Sequence, residues 1–301
     1  MYDLIIIGSG PAGLAAAVYA QRAQLDTLVI EASYVSGGQI INTYEIDNYP
    51  GFPKQSGMDL GTAMREHADR LGAQFVTARV TGIENGDVKI VHTKKGDFET
   101  KSIIIATGAQ NRHLGAPGEE ELQGCGVSYC ATCDGAFFKN KEVCVVGGGD
   151  VALEDALYLA RGCSRVHLIH RRNEFRGAAV LESAVRDNDK IEIHTPAQVK
   201  EIQGDGDVAS VLIEEGGAEK IINCEGVFIA VGMTPNTGFV KDLVDCDEKG
   251  YIIAGEDTKT SVDGIFAAGD VRTKRLRQVV TAAADGAVAV TYVEDYLRNL
   301  R

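Results

Sequence analysis

The chain lacks tryptophan and is poor in proline and aromatic residues: 6 of its 301 residues are proline, and 6% are aromatic. It has no apolar run near the roughly 18–20 residues of a membrane-spanning helix. The N-terminal sequence MYDLIIIGSG has too short an apolar run and no basic leader, so no signal peptide is expected. The formal net charge of −13 disfavours binding to nucleic acid or to anionic membranes. We expect a globular cytoplasmic protein with no nucleic acid or membrane partner.

Cysteine is present, but it gives no sign of a disulfide framework. The 7 cysteines are odd in number and scattered, unlike the even, closely spaced sets of small secreted proteins. Cys144, Cys163 and Cys224 lie in or beside apolar segments, where a thiol packs as a small hydrophobic group. These three are therefore expected to be buried.

Glycine is abundant: its 35 residues are nearly twice the usual share of about 7%. The first glycine cluster, GSGPAG at residues 8–13, follows the apolar run Leu4–Ile7 and precedes an alanine-rich segment that predicts a helix to about Ala23. The next apolar run, Thr27–Ile30, ends at Glu31. This pattern is typical of a dinucleotide-binding unit, in which glycine N–H groups receive a pyrophosphate and the acid receives ribose hydroxyls. The unit should hold FAD or NAD.

A second copy of the pattern begins at the apolar run Glu142–Val146. GGGDVA at residues 147–152 follows it, and then come a predicted helix to about Arg161 and a strand at Arg165–Ile169. The repetition predicts two nucleotide-binding units in one chain.

The two copies differ where their second strands end. Glu31 of the first copy corresponds to His170 of the second, and Arg171, Arg172 and Arg176 follow His170. A carboxylate at this point would repel a 2′-phosphate, whereas guanidinium groups bind one through charge-assisted hydrogen bonds. A solvated basic face is the alternative, but the cluster falls at the strand end that recognises the ribose. We therefore expect the second unit to prefer NADPH.

Five further segments combine a short strand or loop with a glycine turn. Each alone is no more than a strand and a turn, but their order along the chain fits the two nucleotide units. They are Ser36–Gln39, Asp47–Gly51, Ile103–Gly108 and Gly264–Asp270, with Val227–Gly232 mirroring the third of these in the second unit.

Cys130 and Cys133 are separated by two residues, just before the second nucleotide unit. At a helix start this spacing can form a small disulfide, and it lowers the pKa of one thiol, which favours thiol–disulfide exchange. A zinc site would normally need a second pair of ligands at similar spacing, and an inert structural pair is the remaining alternative. Asp134 is placed to give or take the proton that exchange requires, or to cap the helix.

In their order and spacing, these motifs resemble those of bacterial-type, low-molecular-weight thioredoxin reductases. The resemblance spans nearly the whole chain and rests on GSGPAG, the GGQ loop, DNYPG, ATGA, CATCDG, GGGDVA, HRRNEFR, AVGMTPN and AAGD followed by Arg277-Gln278. It implies an α/β fold with two Rossmann-like dinucleotide-binding domains of the three-layer ββα type. An NADPH domain of residues 113–244, which carries the cysteine pair, would be inserted into an FAD domain of residues 1–112 and 245–301.

The resemblance also implies roles for individual residues. In this family the second cysteine, here Cys133, lies against the flavin ring, and the first, here Cys130, exchanges with the disulfide of thioredoxin or a similar redoxin. The family forms homodimers and rotates one domain against the other, with hinges expected here near residues 112–118 and 240–248. The expected catalytic residues are Cys130, Cys133 and Asp134, and no metal ion is expected.

The motifs and the resemblance together predict which residues contact the cofactors. The expected FAD contacts are Gly8, Gly10, Pro11, Ala12, Gly13, Glu31, Gly38, Gln39, Asn48, Thr107, Gly108, Gly269, Asp270, Arg277, Gln278 and Val279. The expected NADPH contacts are Gly147, Gly149, Asp150, Val151, His170, Arg171, Arg172, Arg176 and Gly232.

Other functions fit the sequence less well. Flavoprotein components of hydroperoxide-reducing systems carry an N-terminal redoxin domain, and the lipoamide-type reductases place their cysteines directly after the first nucleotide unit. A non-catalytic redox sensor would be expected to carry a DNA-binding module or an additional domain. Relatives that take electrons from ferredoxin lack the second glycine motif and the arginines, which this chain has. Val151, Asp285 and Ala287 depart from the family's commonest residues.

Overall fold

The computed structural model describes residues 1–43 and 45–300, which form two compact units. The first unit comprises Met1–Gln110 and Thr234–Arg301, and the second, Asn111–Met233, is inserted into it. The expected boundary after residue 244 moves to 233, because Val240 and Val244 are buried in a core of the first unit. The segment 240–248, expected as a hinge, therefore belongs to the first unit.

Strands and helices alternate along much of the described chain, as in other α/β proteins. Up to the start of the second unit they are β1 (Tyr2–Ile7), α1 (Pro11–Arg22), β2 (Thr27–Glu31), α2 (Gly57–Arg70), β3 (Gln74–Thr77), β4 (Val80–Glu84), β5 (Lys89–Thr93), β6 (Gly96–Ile105) and β7 (Ala109–Asn111). They continue with β8 (Val127–Ser128), α3 (Ala131–Asp134), β9 (Glu142–Val146), α4 (Asp150–Ala160), β10 (Arg165–Ile169), α5 (Ala179–Arg186), β11 (Ile191–His194), β12 (Ala197–Asp205), β13 (Asp207–Glu215), β14 (Ala218–Asn223), β15 (Gly226–Ile229) and β16 (Met233–Pro235). The first unit is completed by β17 (Ile265–Ala267) and α6 (Val279–Asn299).

The first unit is built on a sheet with the order β3-β2-β1-β6-β5-β4, in which β17 also pairs with β6. Strands β3, β2, β1, β6 and β17 are parallel, whereas β4 and β5 form an antiparallel hairpin beside the first half of β6. Leu4 and Ile6 pack in a core with residues of α1 and α6, and Ile5 and Ile7 pack in a second core on the opposite face. Burial on both faces explains why β1 is a continuous apolar run.

The second unit repeats this arrangement on a smaller scale. Its parallel sheet has the order β11-β10-β9-β15-β8, and β12, β13 and β14 form a separate antiparallel sheet. Val143 and Val145 pack with residues of α4, while Cys144 and Val146 face the antiparallel sheet. The expected fold class is confirmed. No helix among the described residues has the length and apolar character needed to cross a membrane.

Candidate active site

The turn after β1 is closed by glycines that no larger residue could replace. Gly8 has φ +105°, and a Cβ there would lie 2.5 Å from the carbonyl oxygen of Ala106; a Cβ on Gly13 would overlap the oxygen of Gly8. Gly10 is the N-cap of α1 and Pro11 its first residue, and no side chain caps the helix there. The N–H groups of the first turn and the helix dipole are therefore available to a pyrophosphate.

Glu31 lies at the end of β2, directly beside this turn. Ser9 donates to one carboxylate oxygen of Glu31 from its backbone N–H, at 2.7 Å, and from its hydroxyl, at 2.8 Å. The backbone N–H of Ser33 donates to the other oxygen at 2.8 Å. Because each carboxylate oxygen has two lone pairs, the half-buried group is fixed in place and can still accept from a ribose hydroxyl.

Two loops predicted to surround the first cofactor are anchored to other parts of the first unit. A Cβ on Gly38 would lie 3.1 Å from the Cα of Gly10, so this loop passes close to the glycine turn. The side-chain amide of Gln39 donates to the backbone carbonyl of residue 109. The amide of Asn48 donates to the side-chain oxygen of Gln278, 3.0 Å away at the N-cap of α6, and Val279 begins that helix.

Backbone turns follow the strands β6 and β15. The hydroxyl of Thr107 donates to the carbonyl of Asn236, and the Asn236 amide donates back to the carbonyl of Thr107, each at 2.8 Å. Gly108 has φ +66° and its carbonyl accepts from the N–H of Asn236. Gly232 has φ +105° and its carbonyl accepts from the N–H of Arg112. The two predicted turns therefore form, each with a glycine in the left-handed region.

Two buried polar groups near the end of β17 lack partners within the described residues. They are a carboxylate oxygen of Asp270 and the Nε of Arg277. Burial raises the pKa of Asp270, and the nearby Lys274 and Arg277 oppose this only in part. The guanidinium of Arg277 lies over the ring of Tyr251, 4.1 Å from its centroid. Buried polar groups usually have hydrogen-bond partners, so this pair suits a polar ligand.

Asp285 of α6 organises the turn at Gly269, and sequence reasoning missed this role. Its carboxylate accepts from the N–H of Gly269 at 2.8 Å, from Arg272 at 2.7 and 2.8 Å, and from Lys274 at 2.9 Å. Burial raises the pKa of Asp285, but these hydrogen bonds outweigh burial and hold the pKa below its ordinary value. Lys274 belongs to this buried network. Gly269 itself packs against Ala12 of α1.

The second glycine turn has the same design as the first. A Cβ on Gly147 would overlap the carbonyl oxygen of Ala230, whereas Gly149 has open space around it. Gly149 is the N-cap of α4, again without a side-chain cap. The carboxylate of Asp150 accepts from the N–H of Ala178 at 2.7 Å and so ties the start of α4 to the start of α5. A second bare helix N-terminus can therefore receive phosphate groups.

His170 is part of this turn and not of the exposed basic face. It is buried, and a Cβ on Gly148 would overlap its ring. The ring stacks on Phe175, with centroids 5.5 Å apart, and its Nε2 lies 3.1 Å from the carbonyl oxygen of Glu174. Burial lowers the pKa of His170, so the positive charge at this strand end comes from the arginines.

The three arginines predicted to bind a 2′-phosphate lie next to the second glycine turn. Arg171, Arg172 and Arg176 are exposed, and none forms an ion pair with a described residue. The N–H of Arg176 donates to the carbonyl of Gly148 at 2.6 Å, which fixes the arginine loop to the turn. Val151 in the first turn of α4 is 57% exposed.

Cys130 and Cys133 form a disulfide at the start of the short helix α3. Both are half-buried, and Cys130 is the N-cap residue. The hydroxyl of Ser128 accepts from the N–H of Cys130 at 3.0 Å and donates to the carboxylate of Asp134 at 2.5 Å. Burial raises the pKa of Asp134, with the Ser128 hydrogen bond opposing it. Asp134 makes no helix-capping hydrogen bond, so a carboxyl group with a raised pKa lies beside the disulfide.

The residue before Cys130 is also fixed, through contacts that the sequence did not reveal. The hydroxyl of Tyr129 donates to the buried carboxylate of Glu119 at 2.8 Å, and the same carboxylate accepts from the N–H groups of Leu114 and Gly115. Burial and Glu119 raise the pKa of Tyr129, so its hydroxyl remains protonated. These contacts hold the chain that leads into the disulfide.

The structure places the five remaining cysteines as separate thiols. Cys144, Cys163 and Cys224 are buried, as expected from their apolar surroundings, whereas Cys125 is exposed and Cys246 is intermediate. Among the described cysteines, the disulfide therefore involves only the pair with the CxxC spacing.

The sequence model of the family described as pyridine nucleotide-disulphide oxidoreductase matches residues 2–286. The chain belongs to this family. The thioredoxin reductase of Listeria monocytogenes is 46% identical over 305 residues, covering 100% of this chain and 95% of the relative. The thioredoxin reductase of Bacillus subtilis is 44% identical, with coverages of 100% and 96%. The crystal structure of the Streptococcus pyogenes thioredoxin reductase has a TM-score of 0.95 and 47% identity, and the match covers 99% of both chains. The resemblance to thioredoxin reductases is confirmed.

The thioredoxin reductases of this family are flavoenzymes that use FAD and NADPH. The residues of this chain fit both cofactors. In the first unit, the bare N-terminus of α1 suits a pyrophosphate, and the unpartnered atoms of Asp270 and Arg277 suit the polar groups of a bound nucleotide. In the second unit, the open N-terminus of α4 lies beside arginines that form no ion pair with the part of the chain that the structure describes. Both arrangements agree with cofactor binding on physical grounds.

Proposed function

We propose that this protein is an NADPH-dependent thioredoxin-disulfide reductase that passes electrons through FAD and the Cys130–Cys133 pair to thioredoxin or a similar small redoxin. The observation that carries the proposal is the half-buried disulfide of the CxxC segment at the start of α3. It occurs in a chain that is related to thioredoxin reductases over its full length. The neighbouring hydrogen bonds support a role in exchange, because they fix both the backbone and the carboxyl group beside the sulfur atoms.

FAD is assigned to the first unit and NADPH to the second. Glu31 favours an unphosphorylated ribose in the first unit, because a carboxylate repels a 2′-phosphate. Arg171, Arg172 and Arg176 provide guanidinium groups for that phosphate in the second. When bound, FAD supplies a ring that accepts a hydride from NADPH and delivers two electrons to a disulfide.

The chemistry of the cysteine pair balances as ordinary thiol–disulfide exchange. Two electrons and two protons convert the Cys130–Cys133 disulfide into two thiols. The Cys130 thiolate then attacks one sulfur of the redoxin disulfide, which forms a mixed disulfide and releases the other redoxin thiolate. The Cys133 thiolate attacks the Cys130 sulfur, which restores the disulfide and releases the reduced redoxin. Because thioredoxin has a potential of about −270 mV, the enzyme pair must lie near or below that value.

Asp134 is assigned the role of donating and accepting the proton during this exchange. Its pKa is raised by burial, so it stays protonated to a higher pH than an exposed aspartate. The Ser128 hydroxyl, which links Asp134 to the N–H of Cys130, holds the carboxyl group beside the disulfide. A protonated carboxyl in this place can donate to a leaving thiolate, and its carboxylate can accept a thiol proton.

Two further features are part of the proposal. The protein acts as a homodimer, which the relationship to thioredoxin reductases supports. It works in the cytoplasm, which the five unpaired cysteines support, because exposed thiols such as Cys125 persist in a reducing compartment.

Steady-state reduction of oxidised thioredoxin tests the function. The wild-type enzyme should reduce thioredoxin with NADPH and less efficiently with NADH, and reduced ferredoxin should not replace either. Cys133→Ser should abolish this turnover yet keep the NADPH-dependent bleaching of the flavin. Cys125→Ser is the matched control and should retain both activities. Loss of flavin bleaching in Cys133→Ser, or thioredoxin reduction by that variant, would contradict the proposal.

A further inference from the structure

A cluster of two histidines and a glutamate lies at the edge of the parallel sheet in the second unit, apart from the residues assigned to catalysis. We call His167, Glu192 and His194 the His167 cluster. His167 of β10 is the register partner of Glu192 on β11, and His194 ends β11. Both histidines are buried, whereas the Glu192 side chain is 39% exposed, so the cluster is open to solvent on the side of Glu192.

The spacing within the cluster matches one face of a tetrahedral zinc site. Nδ1 of His167 lies 3.2 Å from Nε2 of His194. One oxygen of the Glu192 carboxylate, Oε2, lies 3.8 Å from the first nitrogen, and the other, Oε1, lies 3.6 Å from the second. Ligands bound to zinc at about 2.0–2.1 Å in tetrahedral geometry are about 3.3–3.4 Å apart. The three residues can each offer one ligand atom within 4.8 Å of the others, so side-chain adjustments would bring two nitrogens and one carboxylate oxygen onto one ion, with the fourth position on the exposed side.

The positions of the protons on the two histidine rings give a second, independent reason to expect a metal ion in the His167 cluster. Nε2 of His167 faces the carboxylate of Glu142 at 3.6 Å, and Nδ1 of His194 faces that of Glu215 at 3.4 Å. When one proton lies on Nδ1 of His194, facing Glu215, and one lies between the two rings, Nε2 of His167 has no proton and no hydrogen-bond partner among the described residues. Two neutral imidazoles carry only two protons. A metal ion on the inner nitrogens resolves the conflict, because both outer nitrogens can then be protonated.

Glu215 already supplies to His194 the support that metal-bound histidines usually have, and Glu142 lies close enough to His167 to do the same after a small shift. A histidine ligand commonly donates its second N–H to a carboxylate, which fixes the ring and strengthens the metal bond. Two cations oppose a metal ion: Arg165 lies 3.0 Å from one oxygen of Glu192, and Lys220 lies 3.7 Å from the other. Lys220 also lies 3.8 Å from Glu215. The three carboxylates of Glu142, Glu192 and Glu215 outnumber these two cations, so the net charge around the site is negative when both histidines are neutral.

We propose that the His167 cluster binds a zinc-type divalent ion that links β10 to β11 and stabilises the second unit. Two imidazoles and one carboxylate are ligands that zinc accepts, whereas magnesium and calcium prefer oxygen ligands alone. The site is separate from the disulfide chemistry. Metal binding should therefore raise the thermal stability of the enzyme without being required for thioredoxin reduction.

Zinc titration of the oxidised holoenzyme tests the proposal. Cys130 and Cys133 are then disulfide-bonded, and a Cys125→Ser background removes the exposed thiol. Calorimetry should detect one zinc ion per chain and a higher melting temperature. Glu192→Gln and His194→Gln should each weaken binding about tenfold or more and lose the thermal shift.

The matched control is His92→Gln, because His92 is another histidine between two carboxylates, Glu84 and Asp97, but in the first unit. It should leave zinc affinity unchanged. Zinc X-ray absorption should report nitrogen and oxygen at about 2.0–2.1 Å and no sulfur near about 2.3 Å. The proposal is overturned if the wild-type enzyme does not bind one zinc ion per chain. It is also overturned if Glu192→Gln, which keeps both buried histidines, binds zinc with wild-type affinity, or if X-ray absorption shows sulfur ligands.

Discussion

Replacing Asp285 with asparagine removes the carboxylate that accepts hydrogen bonds from Gly269, Arg272 and Lys274. The side chains of Arg272 and Lys274 are 4% and 8% exposed, so both cations would remain buried without the carboxylate with which they form ion pairs. Breaking a buried ion pair by removing one partner costs about 3–5 kcal/mol. For a unit of 150–250 residues, each kcal/mol shifts the melting temperature by roughly 2–4 °C, so Asp285→Asn should lower it by roughly 6–20 °C.

Calorimetry of the holoenzyme, with flavin fluorescence to follow cofactor release, measures this effect. Asp295→Asn is the matched control on the same helix, since its exposed pair with Arg298 should contribute about 1 kcal/mol or less. Because the pKa of Asp285 lies below its ordinary value, its stabilisation is present at neutral pH and is lost as the pH falls below about 3.9. Equal losses of stability in the two variants would refute the reasoning.

Three other predictions concern the cofactors and the proton. The triple variant Arg171→Gln, Arg172→Gln, Arg176→Gln should raise KM for NADPH about tenfold or more in steady-state assays. It should leave KM for NADH nearly unchanged, since NADH has no 2′-phosphate. Equal changes in the two KM values would count against the assignment of these arginines to the 2′-phosphate. Asp134→Asn should slow thioredoxin reduction roughly 10²–10⁴-fold. It should also remove the decline in rate as the pH rises through the raised pKa of Asp134, measured as a pH–rate profile; an unchanged profile would exclude the role. Gly13→Ala should yield protein without flavin, read from the visible spectrum, because its Cβ overlaps backbone; full flavin content would contradict this.

Local pattern was enough to predict the nucleotide units and the cysteine pair. Continuous apolar runs mark strands buried on both faces, which identified β1, β2, β9 and β10. The glycines between strand and helix are required by close backbone contacts that depend on only a few neighbouring residues, as at Gly8 and Gly13. The CxxC spacing likewise predicts a disulfide within one helical turn, and the structure confirms it.

Contacts between distant parts of the chain were not predictable in this way. Asp285 meets Gly269 and Arg272 only because α6 packs on α1 and brings its inner face to that turn. Glu119 is one of three consecutive glutamates, and nothing in the sequence distinguishes it as the buried partner of Tyr129. The boundary at residue 233 was missed because the apolar residues that follow it could pack in either unit.

The central claim is that Cys130 exchanges with the disulfide of thioredoxin, and covalent trapping tests it most directly. The enzyme carries Cys133→Ser in the Cys125→Ser background. The thioredoxin lacks its second active-site cysteine and carries thionitrobenzoate on the first. The account predicts release of one thionitrobenzoate per chain and an adduct that peptide mass spectrometry places on Cys130, with a much slower reaction when Cys130 is replaced instead. An adduct on any other cysteine, or equal rates in the two variants, would contradict the assignment of Cys130 as the residue that exchanges with thioredoxin.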